Sequence, residues 1–364
     1  MPKNKDKAFI MLADGTVYSG YSFGAKGSKI GEIVFATGMT GYAETLTDPS
    51  YFGQIVTQTY PLIGNYGVNE EDFESSRSIV SGYIVREYCE NPSNFRCKGN
   101  IDSFLKSQNI IGIYGVDTRA LTKKIREHGV MNGIITSEQI NENDKEALLR
   151  QINEYTIKDA VKSTTVADIE LHVPEDHQYT VALYDYGYKY NIRRELEKRG
   201  CKVYVIPGLT PAEEVLALKP DGIMLSNGPG DPSENVIPIE NLKKLKKTNI
   251  PIFGICLGHQ LMALASGAKT EKLKYGHRGA NQPVKDLFHD RTFVTSQNHG
   301  YAVVNDSVPT GSGEVSHINA NDGSCEGIKY RDCNCFTVQF HPEACGGPHD
   351  TAFLFDEFVK MMEK

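Results

Sequence analysis

The chain has 364 residues, 40% of them hydrophobic and 23% charged, with a net charge of −7 and no tryptophan. That length allows two domains of ordinary size, and the acidic balance, with no basic block, argues against nucleic acid or an anionic membrane as the main partner. No apolar run approaches the roughly 20 residues that span a bilayer, and residues 1–9 carry charge but no signal-peptide apolar segment, so a cytoplasmic protein is expected.

Residues 1–115 are rich in glycine and aromatics and carry short alternating segments at Ala8 to Leu12, Ile33 to Thr37, Ile55 to Tyr60 and Ile79 to Val85. Turn residues such as Ala13, Asp14 and Gly15 separate them, which predicts mostly strands. A helix is predicted over Thr118 to Glu127, with Asp117 as N-cap and Gly129 just past its end, and another over Asp144 to Tyr155. Residues 156–177 hold scattered polar side chains and Pro174, so the inter-domain connection is placed there, giving domains 1–177 and 178–364.

From Tyr179 the rhythm becomes βαβα. Strands are predicted at Val181 to Tyr186, Val203 to Ile206, Gly222 to Ser226 and Ile250 to Ile255, with helices at Tyr190 to Arg199, Ala212 to Leu218 and Ile239 to Lys247. The fold class expected is α/β: a mostly parallel C-terminal sheet flanked by helices, preceded by a β-rich α+β domain. In such sheets ligands bind beyond the carboxyl ends of the strands.

Cys256 stands at such an end, between Gly254 and Gly258, before a helix-like segment from His259 to Ala265. A cysteine on an apolar strand is more often a core residue. The paired glycines instead match a sharp strand-to-helix turn that lifts a nucleophile out of a sheet, with the helix N-terminus favouring thiolate. A thiolate nucleophile needs a base and the base an orienting group. His341 and Glu343, flanking Pro342, supply both types, although alone they also read as a surface pair beside a turn. Gly228 and Gly230 follow the third predicted strand and form either a tight turn or a place where backbone N–H groups approach an anion. Thr295 to Tyr301 clusters amides and a glycine, as a polar loop or a small-molecule site would. The eight cysteines are irregularly spaced and expected to be free thiols. No metal is expected: Cys333, Cys335, Cys345 and His341 lack a second ligand pair at zinc spacing, and Cys333 and Cys335 read as one face of a strand.

Together, the motifs around Cys256, Ser226 to Pro232 and Gln339 to Glu343 resemble the class I (triad) glutamine amidotransferases, over roughly residues 180–364. The resemblance implies glutamine hydrolysis, with Cys256 as nucleophile, His341 as general acid/base and Glu343 as its orienter. Backbone N–H groups near Leu257 and Gly228 would form an oxyanion hole. Glutamine would contact Gly228, Gly230, Leu257, Gln260, Asn298, Gly300 and Tyr301.

In the N-terminal half, Gly31 to Phe35, Met39 to Tyr51, Gln54 to Thr57, Gly64 to Gly67 and Gly115 to Thr122 resemble the small-subunit family of carbamoyl phosphate synthases. That implies a further glutamine contact from Ser50, a large synthetase subunit as partner in a heterodimer or higher oligomer, and ammonia passed between subunits. No cofactor is expected on this chain, and ATP and Mg²⁺ are expected on the large subunit. Tyr301 departs from the family's usual phenylalanine, and Arg278 and Gln282 alter a neighbouring motif. The competing readings are a partner-independent γ-glutamyl cysteine hydrolase and a catalytically idle regulatory scaffold.

Overall fold

The computed structural model describes residues 6–363. The chain divides into two compact units, the first ending at Lys158 and the second beginning at Asp159.

In the first unit, seven strands close into a barrel in the order Lys7–Leu12, Val17–Gly24, Ile111–Tyr114, Gly82–Ile84, Gln54–Gln58, Ser28–Ala36, Met131–Thr136 and back to Lys7–Leu12. Closure leaves no unpaired sheet edge. Gly112 permits it at one seam: a Cβ there would lie 2.5 Å from the Phe23 ring. Beside the barrel, Phe23, Val34, Tyr42, Leu46, Val56, Tyr83 and Leu105 form one buried cluster. The predicted helix over Thr118 to Glu127 is present as Thr118–His128, with Asp117 Oδ1 accepting from the Ala120 N–H at 3.0 Å and Gly129 at φ 98°. The second predicted helix runs Lys145–Glu154. Ser50 lies in a buried 3-10 turn, Pro49–Tyr51, whose N-cap Asp48 accepts from the Ser50 N–H at 2.9 Å.

The second unit is built on a ten-stranded sheet ordered Glu170–His172, Cys201–Pro207, Tyr179–Asp185, Gly222–Leu225, Ile252–Ile255, Cys335–Val338, Cys325–Tyr330, Gly313–Asn319, Thr270–Asp286, Arg291–Val303. The strands from Cys201–Pro207 to Cys335–Val338 pair in parallel. The rest extend this core antiparallel. Alternation along Tyr179–Asp185 sends Val181 and Leu183 into one cluster with Phe253, Phe355 and Phe358. It sends Ala182 and Tyr184 into another with Leu242 and Leu261, so both faces are covered.

The Ile239 to Lys247 prediction is found as Val236–Leu245, with Pro238 in the first turn, where its missing N–H has no intrahelical role. Within 156–177 the chain forms the helix Ala160–Thr164 and the edge strand Glu170–His172, both in the second unit. The polar composition that predicts a connection here is that of a sheet edge. Among the described residues, no helix is long and apolar enough to cross a membrane.

Candidate active site

Cys256 caps the helix Leu257–Ala265 directly after the strand Ile252–Ile255, at φ 52° and ψ −102°. A left-handed φ on a residue with a Cβ is strained, and the surroundings enforce it. Its N–H donates to the Val338 carbonyl at 2.9 Å, and the Gly258 N–H donates to the Ser226 carbonyl at 2.9 Å. The flanking glycines let the helix close on the sheet. A Cβ on Gly258 would lie 2.5 Å from the Leu225 carbonyl oxygen, and one on Gly254 would lie 2.9 Å from Thr337 Cγ2. Leu257 is the first helical residue, so its N–H has no partner within the helix.

Because Cys335–Val338 lies beside Ile252–Ile255 in register Ile255 to Val338, the chain emerging from it carries His341 and Glu343 past the same sheet end. The His341 N–H donates to the Ser296 carbonyl at 2.9 Å, two residues before Asn298, whose carbonyl accepts from the Cys256 thiol at 3.8 Å. His341 Nδ1 sits 2.7 Å from Glu343 Oε1, with both residues buried. That contact leaves His341 Nε2, which has no hydrogen-bond partner among the described residues, as the nitrogen available to a reacting group.

Sequence reasoning overlooks Lys189. Its Nζ lies 2.6 Å from Glu343 Oε1 in a nearly dry environment. Burial pushes the Glu343 carboxyl upward, but Lys189 and His341 outweigh it and hold the group at about 2. The loop bearing Lys189 is organised by Asp185, which accepts from the N–H groups of Gly187, Tyr188 and Val166 at 2.8, 2.7 and 2.6 Å. Burial lifts Asp185 to about 6 against those bonds. Asn191, just beyond, donates through Nδ2 to the Glu343 carbonyl and the exposed Cys345 sulfur. The only sequence signal for Lys189 is its place after the strand Tyr179–Asp185, at the sheet end that also carries Gly228.

Most of the proposed ligand residues meet at this end. Gly228 sits against Leu257: a Cβ would lie 2.2 Å from the Tyr186 carbonyl oxygen and 2.8 Å from Leu257 Cδ2. Gly230 follows at φ 88°. Gln260 Nε2 donates to the Tyr301 carbonyl at 2.8 Å and to Gln339 Oε1 at 2.9 Å, so a side-chain contact with a ligand falls to its Oε1. Asn298, Gly300 and Tyr301 lie on the strand Arg291–Val303, not in a loop. Ser50 belongs to the first unit.

Residues 10–135 match the family described as carbamoyl-phosphate synthase small chain, CPSase domain, and residues 182–361 match glutamine amidotransferase class-I. Carbamoyl phosphate synthase small chains are similar over nearly the whole length. The Fusobacterium nucleatum protein is 51% identical over 97% of this chain and 98% of its own. That of Bacillus cereus is 51% identical over 98% of this chain and 96% of its own, and that of Oceanobacillus iheyensis has the same figures.

Proposed function

The chain belongs to the carbamoyl phosphate synthase small-chain family, and from that premise we propose that it hydrolyses L-glutamine with a Cys256–His341–Glu343 triad and passes the ammonia to a large synthetase subunit. The observation that carries this reading is the buried His341–Glu343 pair, with Nε2 of the imidazole left without a partner among the described residues, at the sheet end where Cys256 is held in a strained turn.

His341 Nε2 takes the thiol proton as Cys256 Sγ attacks the carboxamide carbon, and returns it to the departing nitrogen. Glu343 holds the imidazole by Nδ1 and stabilises the imidazolium, while Lys189 keeps Glu343 ionised. The Leu257 and Gly228 N–H groups receive the oxyanion, each such donor contributing about 3 kcal/mol in the transition state. Ammonia leaves, and water activated by His341 cleaves the γ-glutamyl thioester. Gly230, Gln260, Asn298, Gly300 and Tyr301 hold the glutamine, and the family resemblance implies a further contact from Ser50. The large subunit supplies the ATP, Mg²⁺ and bicarbonate chemistry.

Glutamine hydrolysis by the purified chain, with and without a large subunit, ATP and bicarbonate, tests the reading. The expected result is a slow rate that the complete system raises strongly, and a Cys256→Ala variant that loses glutamine-dependent synthesis while ammonia-dependent synthesis in the complex persists. A fast rate indifferent to the partner identifies an independent hydrolase, and no hydrolysis in any condition identifies a scaffold.

A further inference from the structure

Within the second unit, three buried side chains from three different strands converge: His277 on Thr270–Asp286, His299 on Arg291–Val303 and Glu326 on Cys325–Tyr330. One donor atom from each side chain lies within 4.8 Å of the donor atoms of the other two. His277 and His299 face each other across the antiparallel ladder, ring centroids 5.0 Å apart and edge to face. No motif spacing unites the three, so sequence reading expects no metal there.

Each imidazole is tied on its far side to an oxygen acceptor. His277 Nε2 lies 2.9 Å from Asp322 Oδ2, and His299 Nδ1 lies 2.7 Å from the Tyr301 carbonyl oxygen. In the neutral rings, with those nitrogens carrying the protons, His277 Nδ1 and His299 Nε2 present lone pairs. His277 Nδ1 is 3.6 Å from Glu326 Oε1, too far for a hydrogen bond. Neither it nor Oε2 of the fully buried Glu326 has a hydrogen-bond partner among the described residues. Gln297 Oε1 faces His299 Nε2 at 3.1 Å, a meeting of two acceptors that a cation or a turned amide relieves. Unpaired buried acceptors of this kind are costly.

Imidazoles anchored by an acceptor on the far nitrogen, with a carboxylate beside them, have the inner and outer shells of a metal site. We propose that His277, His299 and Glu326 bind one divalent transition-metal ion, with Zn²⁺ best matched to two imidazoles and a carboxylate. Asn319 Nδ2, 3.1 Å from Glu326 Oε1, orients the carboxylate. Glu326 and Asp322 balance the two positive charges. The adjacent Arg278 guanidinium bonds the Tyr275 carbonyl at 2.7 Å. Metal bonds near 2 Å require the donors to draw in to roughly 3–3.5 Å from each other, a side-chain adjustment. The ion has a structural role: it fixes His299, whose Nδ1 contact positions the Tyr301 carbonyl.

The test reads metal rather than turnover, so its outcome is separate from that of the glutaminase reading. The full chain is stripped with chelator, dialysed against Zn²⁺ and assayed for bound metal by mass spectrometry, and Co²⁺ is bound in parallel as a spectroscopic probe. The expected result is one Zn²⁺ per chain, held at least 10-fold more weakly by Glu326→Gln and by His277→Gln. A Cys333→Ser/Cys335→Ser/Cys345→Ser variant retains it unchanged. The Co²⁺ form, which needs no variant to fold, should show weak visible bands without a thiolate charge-transfer band. No retained metal, equal retention by Glu326→Gln, or a thiolate band overturns the proposal.

Discussion

Glu343 is held by two nitrogens sharing one oxygen. Lys189 Nζ and His341 Nδ1 both approach Oε1, while Oε2 has no hydrogen-bond partner among the described residues. Removing one member of a buried ion pair typically costs about 3–5 kcal/mol, because the other is left charged and dry. Lys189→Met is therefore expected to destabilise the fold by that order in urea titration. Adding Glu343→Gln to it should restore part of the loss, whereas additive losses would show that the pair is not coupled. The same residue sets a pH dependence. Its folded pKa, about 2, lies below the ordinary value of 4.5, so its stabilisation is complete above the ordinary value and disappears as pH falls towards 2. The shift corresponds to a contribution on the order of 3 kcal/mol. Wild type should accordingly lose more stability than Glu343→Gln between pH 5 and pH 2.5, and parallel stability–pH curves would contradict this.

At the scale of elements, the turn at Cys256 stores strain that a residue without a Cβ does not feel. Backbone outliers of this kind cost about 1–3 kcal/mol. Cys256→Gly should therefore be more stable than Cys256→Ala by about that amount in chemical denaturation, offset in part by the flexibility glycine gives the unfolded chain. Equal stabilities would mean the turn is relaxed. This turn was legible in the sequence because its glycines are required by close approach of backbones, and the βα rhythm was legible because both sheet faces are apolar. The strand Arg291–Val303 was not. Thr295, Gln297 and His299 alternate as buried residues with less buried neighbours, so the period of 2 is present in burial but absent in hydrophobicity. The segment therefore reads as a polar loop. Lys189 escaped for a similar reason: a lysine in a loop is ordinarily solvated, and only the fold sets it beside a buried carboxylate.

At the scale of the whole molecule, the two units carry separate cores, one around Tyr83 and Leu105 and the other on the two faces of the large sheet. Closure of the seven strands into a barrel, and the order in which they pair, depends on contacts distant in sequence that alternating patterns do not encode. Separate cores predict more than one calorimetric transition. Phe358→Ala, which empties a fully buried site in the second unit, should lower one of them by an amount corresponding to about 3–5 kcal/mol and leave the other in place. A single transition that moves as a whole would show the units to be one cooperative body. The distribution of thiols bears on how chemical inactivation is interpreted. None of the eight cysteines is in a disulfide, yet Cys256 is only 2% exposed while Cys345 is exposed, two residues from Glu343 and in contact with Asn191. An alkylating reagent therefore meets Cys345 before Cys256, and a bulky adduct there can displace Glu343 and lower activity with Cys256 untouched. Loss of activity on alkylation identifies the nucleophile only when the modified peptide is mapped, or when the experiment is run in a Cys345→Ser background.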